Sequence, residues 1–572
     1  MFTCHPRESG DPITHNTMKV FKSLIFFLFL FFSNISFSQD YYRNGMVSSA
    51  DEYASQVGIE ILKKGGNAID AAVGVGFALA VTYPGAGNIG GGGFMLIHLK
   101  DGKNISIDYR EKAPIAAFKN MYLDSNGNVV DGLSTTGHLA GGVPGSVAGL
   151  LYALEHYGTM SRQQVMQYAI DLAENGFKIH KRLAENLNSQ QKEFQRFPST
   201  MEVFGGHFKE GQLLIQKDLA KTLRRISEQG KDGFYKGETA DLISEEMRTG
   251  YGIVTKSDLE SYEAKERTPL VGSYRGYEII SMPPPSSGGI CLLYLLNILE
   301  NYDIKSLGFH SAETVNLMTE AMRRVYADRS QYMGDPDFVQ VPSDVLISKD
   351  YAKQRMTDFE QNKAGNSKDI QPGNITKKES TETTHYCVVD KDGNLVSTTT
   401  TINDNFGSKL VIKGAGFFWN NEMDDFVSKP GAPNMYGLVG SEANSIAPQK
   451  RMLSSMTPTI IMKDNKPFMV VGSPGGGRII TSVLQTIINV IDFNMSIADA
   501  IDAPRFHHQW LPDEIQIEKD VFNSEVKSSL KKMGYSLKEI PEFGRVEGIL
   551  FKEDGSFTGH SDRRGYGKAI GY

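Results

Sequence analysis

Cysteine is almost missing from this sequence. Only Cys4, Cys291 and Cys387 occur in 572 residues. Cys4 falls in an N-terminal leader, and the other two lie far apart, so they form neither a disulfide framework nor a metal-ligand spacing. An excess of positive charge is missing too. The formal net charge is −7 and no block of like charge stands out, which removes the electrostatic footprint of a nucleic-acid binder. No G-x-S-x-G occurs, which weakens an α/β-hydrolase assignment. No H-E-x-x-H occurs, and the adjacent His507 and His508 point apart, so neither a catalytic zinc nor any cofactor is expected.

What is present has the proportions of a soluble globular protein, 40% hydrophobic and 22% charged, in a chain long enough for three or four domain-sized units or one large one. The N-terminus differs. From Met18 a basic start leads into the nine apolar residues "LIFFLFLFF" (Leu24–Phe32) and then the small polar exit "SNISFSQ". That is the pattern of a secretory signal peptide, too short to span a bilayer permanently; a membrane anchor is the competing reading. Residues 1–38 are therefore expected to be leader and signal, with Met18 a candidate true start and a periplasmic or secreted product.

Along the chain, Ser49 and Glu52 form a capping-box pattern that predicts a helix from Ser49 to Lys64, stopped by Gly65 and Gly66. The very apolar "AIDAAVGVGFALAVTYP" predicts a second helix. "GAGNIGGGGFMLIHLKDGKNISIDYRE" predicts a glycine loop feeding a hairpin that turns at Asp101-Gly102. From about Gly145 to Arg267 the periodicity is helical, in short pieces punctuated by glycine, and "SAETVNLMTEAMRRVYADRSQYMG" is a long helix. The polar, aperiodic stretch from Phe359 to Glu382 reads as flexible and exposed. After it come three hairpins, "HYCVVDKDGNLVSTTT", "TPTIIMKDNKPFMVVG" and "VEGILFKEDGSFTG". Hairpins imply antiparallel pairing, and with helices before and between them the expected class is a layered α+β fold.

Two glycine loops invite a phosphate or anion reading. "GAGNIG" (Gly85–Gly90) follows a helix and precedes a strand, the reverse of a dinucleotide site. "GSPGGGR" (Gly472–Arg478) lies between a strand and a helix, so its N–H groups suit an oxyanion hole, or simply a tight turn.

The stretch "STETTHYCVV" raises the question of catalysis. A polar segment ends where a strand begins, which suits a chain break. Cleavage of the Glu382–Thr383 bond would give Thr383 a free α-amine of reference pKa about 7.7–8.0, able to act as base for its own hydroxyl. Thr384 competes for this role on sequence grounds.

The blocks "TTHYCVVDKDGNLVSTTTTINDNFG", "NNEMDDFVSKPGAPNMYGLVG", "KRMLSSMTPTI", "GSPGGGRIITSVLQ" and "DAPRFHHQWLPDE" resemble the small subunit of γ-glutamyltranspeptidases. "GGNAIDAAVGVGFALAVTYPGAGNIGGGGFMLIH", "DYREKAP", "GGVPGSVAGL" and "MPPPSSGG" resemble the large subunit, in the same order, from about Gly45 to Tyr572. The resemblance implies an N-terminal-nucleophile hydrolase with a four-layer αββα fold, made as one chain that cuts itself into a large subunit (39–382) and a small one (383–572). It implies Thr383 as nucleophile and Thr401 as the threonine supporting it. Arg110 is implied as partner of the donor's α-carboxylate, with Ser454 and Ser455 assisting, and Asn403, Glu422 and Asp425 around its α-ammonium. Gly475 and Gly476 are implied as the oxyanion N–H pair, and Tyr436 as the shield on a lid loop, Lys429–Gly440. Arg563 stands where relatives usually have proline, away from the implied pocket. The implied substrates are glutathione and other γ-glutamyl donors, with water, amino acids or peptides as acceptors. The alternatives are a glutaryl-amide acylase of the cephalosporin acylase kind, whose substrate lacks the ammonium, and an exported binding protein that never matures.

Overall fold

Thirteen strands build two sheets. In chain order they are Gly45–Ser49 (β1), Gly92–His98 (β2), Asn104–Asp108 (β3), Lys265–Arg267 (β4), Leu270–Tyr274 (β5), Tyr277–Ser281 (β6), Thr384–Asp390 (β7), Leu395–Thr401 (β8), Thr459–Lys463 (β9), Lys466–Gly472 (β10), Glu547–Phe551 (β11), Phe557–Ser561 (β12) and Lys568–Gly571 (β13). The seven-stranded sheet runs β13-β1-β7-β8-β2-β3-β4 and the six-stranded sheet β12-β11-β10-β9-β6-β5. Every pairing in both is antiparallel. The structure, a computed structural model, describes Met1, Thr3 and residues 40–373, 384–440 and 442–572. The expected leader, the bond Glu382–Thr383 and the nucleophile Thr383 lie outside the described residues. Tyr42–Tyr572 forms one compact unit, and no helix among the described residues is long and apolar enough to cross a membrane.

Strand alternation explains the layers. In β7, Tyr386 and Val388 face one way and Cys387 and Val389 the other. The first pair joins a core with the helices Glu52–Lys63 (α1), Ala68–Thr82 (α2), Ser146–Tyr157 (α3), Arg162–Asn175 (α4) and Lys217–Gln229 (α5). The second pair meets Ile280, Ile460, Val470 and Ile549 of the other sheet. The far face of that sheet is covered by Gly288–Leu299 (α6), Ala312–Tyr332 (α7) and Arg478–Ile491 (α8). The order is therefore helices, sheet, sheet, helices. The central strands are buried on both faces, so β2 and β9 read as nearly continuous apolar runs, whereas the edge strands β4, β5 and β13 are partly exposed. All fifteen residues of α2 are buried, which is why it shows no polar face.

The predicted hairpins form, including β2–β3 and β7–β8. Gly393 closes the β7–β8 turn with φ +94°, and the Asp390 carboxylate accepts from the N–H groups of Asp392, Asn394 and Ala68. One side chain thus ties the turn to the start of α2. Two expectations fail. The Ser49–Glu52 capping box does not form, because Ser49 is the last residue of β1, held in register with Tyr386 and Lys568; Asp51 caps α1 instead. The part of the polar stretch that is described, residues 359–373, is not a free segment. Acidic side chains of the body accept its N–H groups: Glu320 from Gly365, Asp513 from Ser367 and Asp328 from Gly373. Trp510 donates to the carbonyls of Ser367 and Ile370, both of which are buried residues. These pairings satisfy the backbone through residues at least 45 positions away, which periodicity does not register.

Asn67 caps α2, forming a capping box with Asp70, and its amide donates to the Tyr157 carbonyl at the end of α3. Asn67→Ala removes both functions and should lower stability by about 1–2 kcal/mol in denaturant unfolding, whereas Gln56→Ala, on the exposed face of α1, should stay within roughly 0.5 kcal/mol.

Candidate active site

The site begins where β7 and β8 stop. Thr384 opens β7 opposite Thr400, and Thr401 ends β8 opposite Gly92. Beyond Thr401 the chain turns through Asn403 at φ +68°. The Thr401 hydroxyl accepts from the Asn403 N–H at 2.7 Å and donates to Glu422 Oε1 at 3.1 Å. A Cβ on Gly91 would lie 2.0 Å from the Thr401 carbonyl oxygen, so this crossing requires glycine.

Arg110 follows β3, and its backbone is held by Asp108 below and Tyr262 above. Its side chain is fully buried. The guanidinium donates to Glu422 Oε1 at 2.7 Å, to Asp425 Oδ2, and to the carbonyls of Met452 and Leu453. Glu422 and Asp425 sit on one 3-10 turn. Arg110 and the two acidic residues, foreseen at opposite ends of a zwitterion, are thus joined to each other. Burial works against the guanidinium charge, but Glu422 and Asp425 outweigh it and hold the proton on. Glu111 adds a third buried carboxyl, 3.5 Å from Arg110, with neither oxygen hydrogen-bonded. Burial pushes Glu111 up to about 8 against the pull of Arg110. It pushes Glu422 well above the carboxylate range for the same reason. One cation cannot offset three buried anions, so protons stay.

Ser454 and Ser455 continue from Leu453, both buried. The Ser454 hydroxyl accepts from the Met456 N–H, and the Ser455 hydroxyl accepts from Arg329 of α7 at 2.8 Å. Sequence reasoning missed two residues that hold this region together. Asn420 bonds the Gly90 carbonyl, both backbone groups of Gly142 and the Glu422 N–H. Asn444 bonds the Asp425 carbonyl and the Leu453 N–H. An asparagine in a loop carries no periodic signal; only its hydrogen bonds to other segments mark it.

Gly475 and Gly476 lie between β10 and α8 with φ of +132° and +68°. Their carbonyls accept from Arg478 and Ile479, opening α8, while neither glycine N–H donates to any described residue. Two adjacent unpaired donors at a helix N-terminus are suited to an oxyanion. Gly475, Asn403 and Tyr436 face one cleft of about 330 Å³. Asp425, with Met435 and Leu438 of the Lys429–Gly440 loop, faces a second cavity of about 230 Å³. The loop divides the two, and Gln509 donates to its Tyr436 carbonyl. His385 is out of contention as a base. It is buried between the sheets, its ring nitrogens are taken by Thr399 and Cys387, and burial lowers it to about 3.

Two antiparallel sheets face to face between helical layers are the architecture of the N-terminal-nucleophile hydrolase class. The family model for Gamma-glutamyltranspeptidase matches residues 54–572, and the chain belongs to that family. It is 50% identical over 526 residues to the glutathione hydrolase proenzyme of Escherichia coli (strain K12), covering 91% of this chain and 90% of that one. Among solved structures it is similar to the cephalosporin acylase of Bacillus halodurans, with TM-score 0.83 at 26% identity, covering 95% of this chain and 99% of that chain. It is also similar to the Helicobacter pylori γ-glutamyltranspeptidase, with TM-score 0.56 at 51% identity, covering 57% of this chain and 94% of that chain.

The Glu111 carboxyl predicts a pH effect. The unfolded chain loses this proton above about 4.5, whereas the fold keeps it up to about 8. The group therefore withdraws stability as pH climbs through that window and no further above it. Glu111→Gln keeps the shape without the titration. Its melting temperature relative to the parent should rise steadily between pH 5 and pH 8; an offset independent of pH would contradict the assignment.

Proposed function

We propose that the chain is a self-cleaving proenzyme that breaks at Glu382–Thr383 and then uses Thr383 to take a γ-glutamyl group from glutathione or a related donor. The observation that carries this reading is the pair of unpaired N–H groups on Gly475 and Gly476, of which Gly475 lines the cleft shared with Asn403. The large and small subunits are residues 39–382 and 383–572, and the basic, apolar, polar leader supports export.

During maturation the Thr383 hydroxyl adds to the Glu382 carbonyl, the peptide nitrogen leaves as the new α-amine, and water opens the ester. In turnover that amine takes the proton from the hydroxyl as oxygen attacks the γ-carbonyl of the donor. The N–H groups of Gly475 and Gly476 hold the oxyanion. Collapse breaks the amide bond, the leaving amine receives the proton, and a γ-glutamyl ester remains on Thr383. Water or an acceptor amine then attacks the ester, its proton passes to the α-amine, and the threonine hydroxyl is restored.

Arg110, Ser454 and Ser455 receive the α-carboxylate in this reading, and Asn403, Glu422 and Asp425 the α-ammonium. The ion cluster supports that assignment. A zwitterion brings one charge of each sign, so its carboxylate can take donors of Arg110 while its ammonium takes Asp425 and Glu422, and no charge is stranded. A glutaryl amide supplies the carboxylate only and would leave the acidic pair without the partner that it gave up. Thr401 orients the nucleophile through its link to Glu422, and Tyr436 shields the cleft.

The purified protein should separate into two pieces on a denaturing gel, the smaller beginning with Thr383 by N-terminal sequencing, and Thr383→Ala should remain one inactive chain. A different N-terminus would remove Thr383 from the mechanism. With the α-amine as base, acylation should rise with pH with an apparent pKa at or below about 7.7–8.0. His385→Asn should leave that profile in place; loss of its basic limb in the matured variant would make the imidazole the base.

A further inference from the structure

The cleft in front of Gly475 carries more positive charge than the fold uses. Among its arginines, Arg564 is paired with Glu518 and Asp562, and Arg478 donates to Gln516. Of its acidic residues, Asp404 is paired with Lys409, and Glu542 with Arg563. That leaves Arg182 and Arg545, which both line the cleft and meet no carboxylate within ion-pair distance among the described residues. Each is half-buried and anchored by one neutral contact, Arg182 to the Arg564 carbonyl and Arg545 to the Tyr83 hydroxyl. Burial and the facing Arg545 both lower the Arg182 guanidinium from its ordinary value. Glu542 of the same cleft pulls on Arg182 only from beyond ion-pair distance. Two partly buried like charges with no ion-pair contact oppose folding, and an anion placed between them relieves both desolvation and repulsion.

We infer that Arg182 and Arg545 form a carboxylate-binding subsite for the peptide half of the reaction, the leaving dipeptide of the donor and the acceptor that replaces it. The inference rests on the proposed function for the direction of the chain. The γ-glutamyl end lies toward Arg110 and Asp425, so the far side of the oxyanion glycines receives what is bonded to the γ-carbonyl. A carboxylate at the C-terminus of a dipeptide is the anion that this side must accommodate, and a guanidinium binds it through two parallel N–H donors. The subsite thus selects acceptors that carry a free carboxylate, in the position that the leaving dipeptide vacates.

The test needs no turnover in its first arm. Ligand-observed NMR titration of the matured protein with glycylglycine and with glycylglycine amide should show the acid binding roughly tenfold tighter, the size of one charge-assisted contact. The preference should vanish in Arg545→Gln and survive in part in Arg545→Lys. Equal binding of acid and amide by the parent protein overturns the subsite, as does a preference that Arg545→Gln leaves intact. The second arm compares glutathione with a γ-glutamyl anilide, whose leaving group has no carboxylate. The ratio of kcat/KM for glutathione to that for the anilide should fall roughly tenfold in Arg545→Gln. Equal losses on both substrates overturn the subsite, whereas a parent protein that ignores the anilide altogether overturns the proposed function and leaves the binding arm to decide the subsite.

Discussion

A single buried guanidinium organises the centre of this protein. Arg110 joins the end of β3 to the Glu422–Asp425 turn and to the Met452–Leu453 backbone, two segments that lie more than 300 residues further along the chain. Its charge is tolerable out of water only because carboxylates and carbonyls surround it, and theirs only because it is there. Removal of any member strands the others, and Asn420 and Asn444 hydrogen-bond the backbone of the turn that carries Glu422 and Asp425. Burial also favours the protonated forms of Glu111 and Glu422, so the cluster does not carry three full negative charges against one cation.

The sandwich supplies what the cluster needs, a rigid and dry frame. Antiparallel sheets buried on both faces place β7 and β8 at the centre of one layer, and the cores on either side fix their register. The strand ends that emerge from this frame are the places where hydroxyls can be aimed without freedom to wander. The glycine pair between β10 and α8 comes from the other sheet. The site is therefore assembled across the sheet interface, and the sandwich geometry sets the distance between its two halves.

Much of this architecture was legible from local chemistry. The turns at Asp101-Gly102 and Gly393, the apolar α2 and the alternating hairpins follow from side-chain period and backbone preference, which act over a few residues. The errors share one cause. Ser49 has the residues of a helix cap but serves as the end of a strand, because pairing with β7 and β13 outweighs a cap worth about 1 kcal/mol. Residues 359–373 look like a free linker, yet carboxylates contributed by α7 and by Asp513 satisfy their backbone. Neither partner is near in sequence, so no local pattern could reveal it.

The amino-acid sequence by itself determined the elements, the antiparallel layered class, the order of motifs that carries the family resemblance, and the absence of metal-ligating or disulfide spacings. Those are properties of neighbours along the chain and of residue types. Only the tertiary structure decided that Arg110 contacts Glu422 and Asp425, that His385 is sealed between sheets, and that Arg182 and Arg545 share one cleft with neither ion-paired among the described residues. Charge pairing, desolvation and unpaired donors depend on distance in space, and distance between residues hundreds apart exists only once both sheets have closed on a common core.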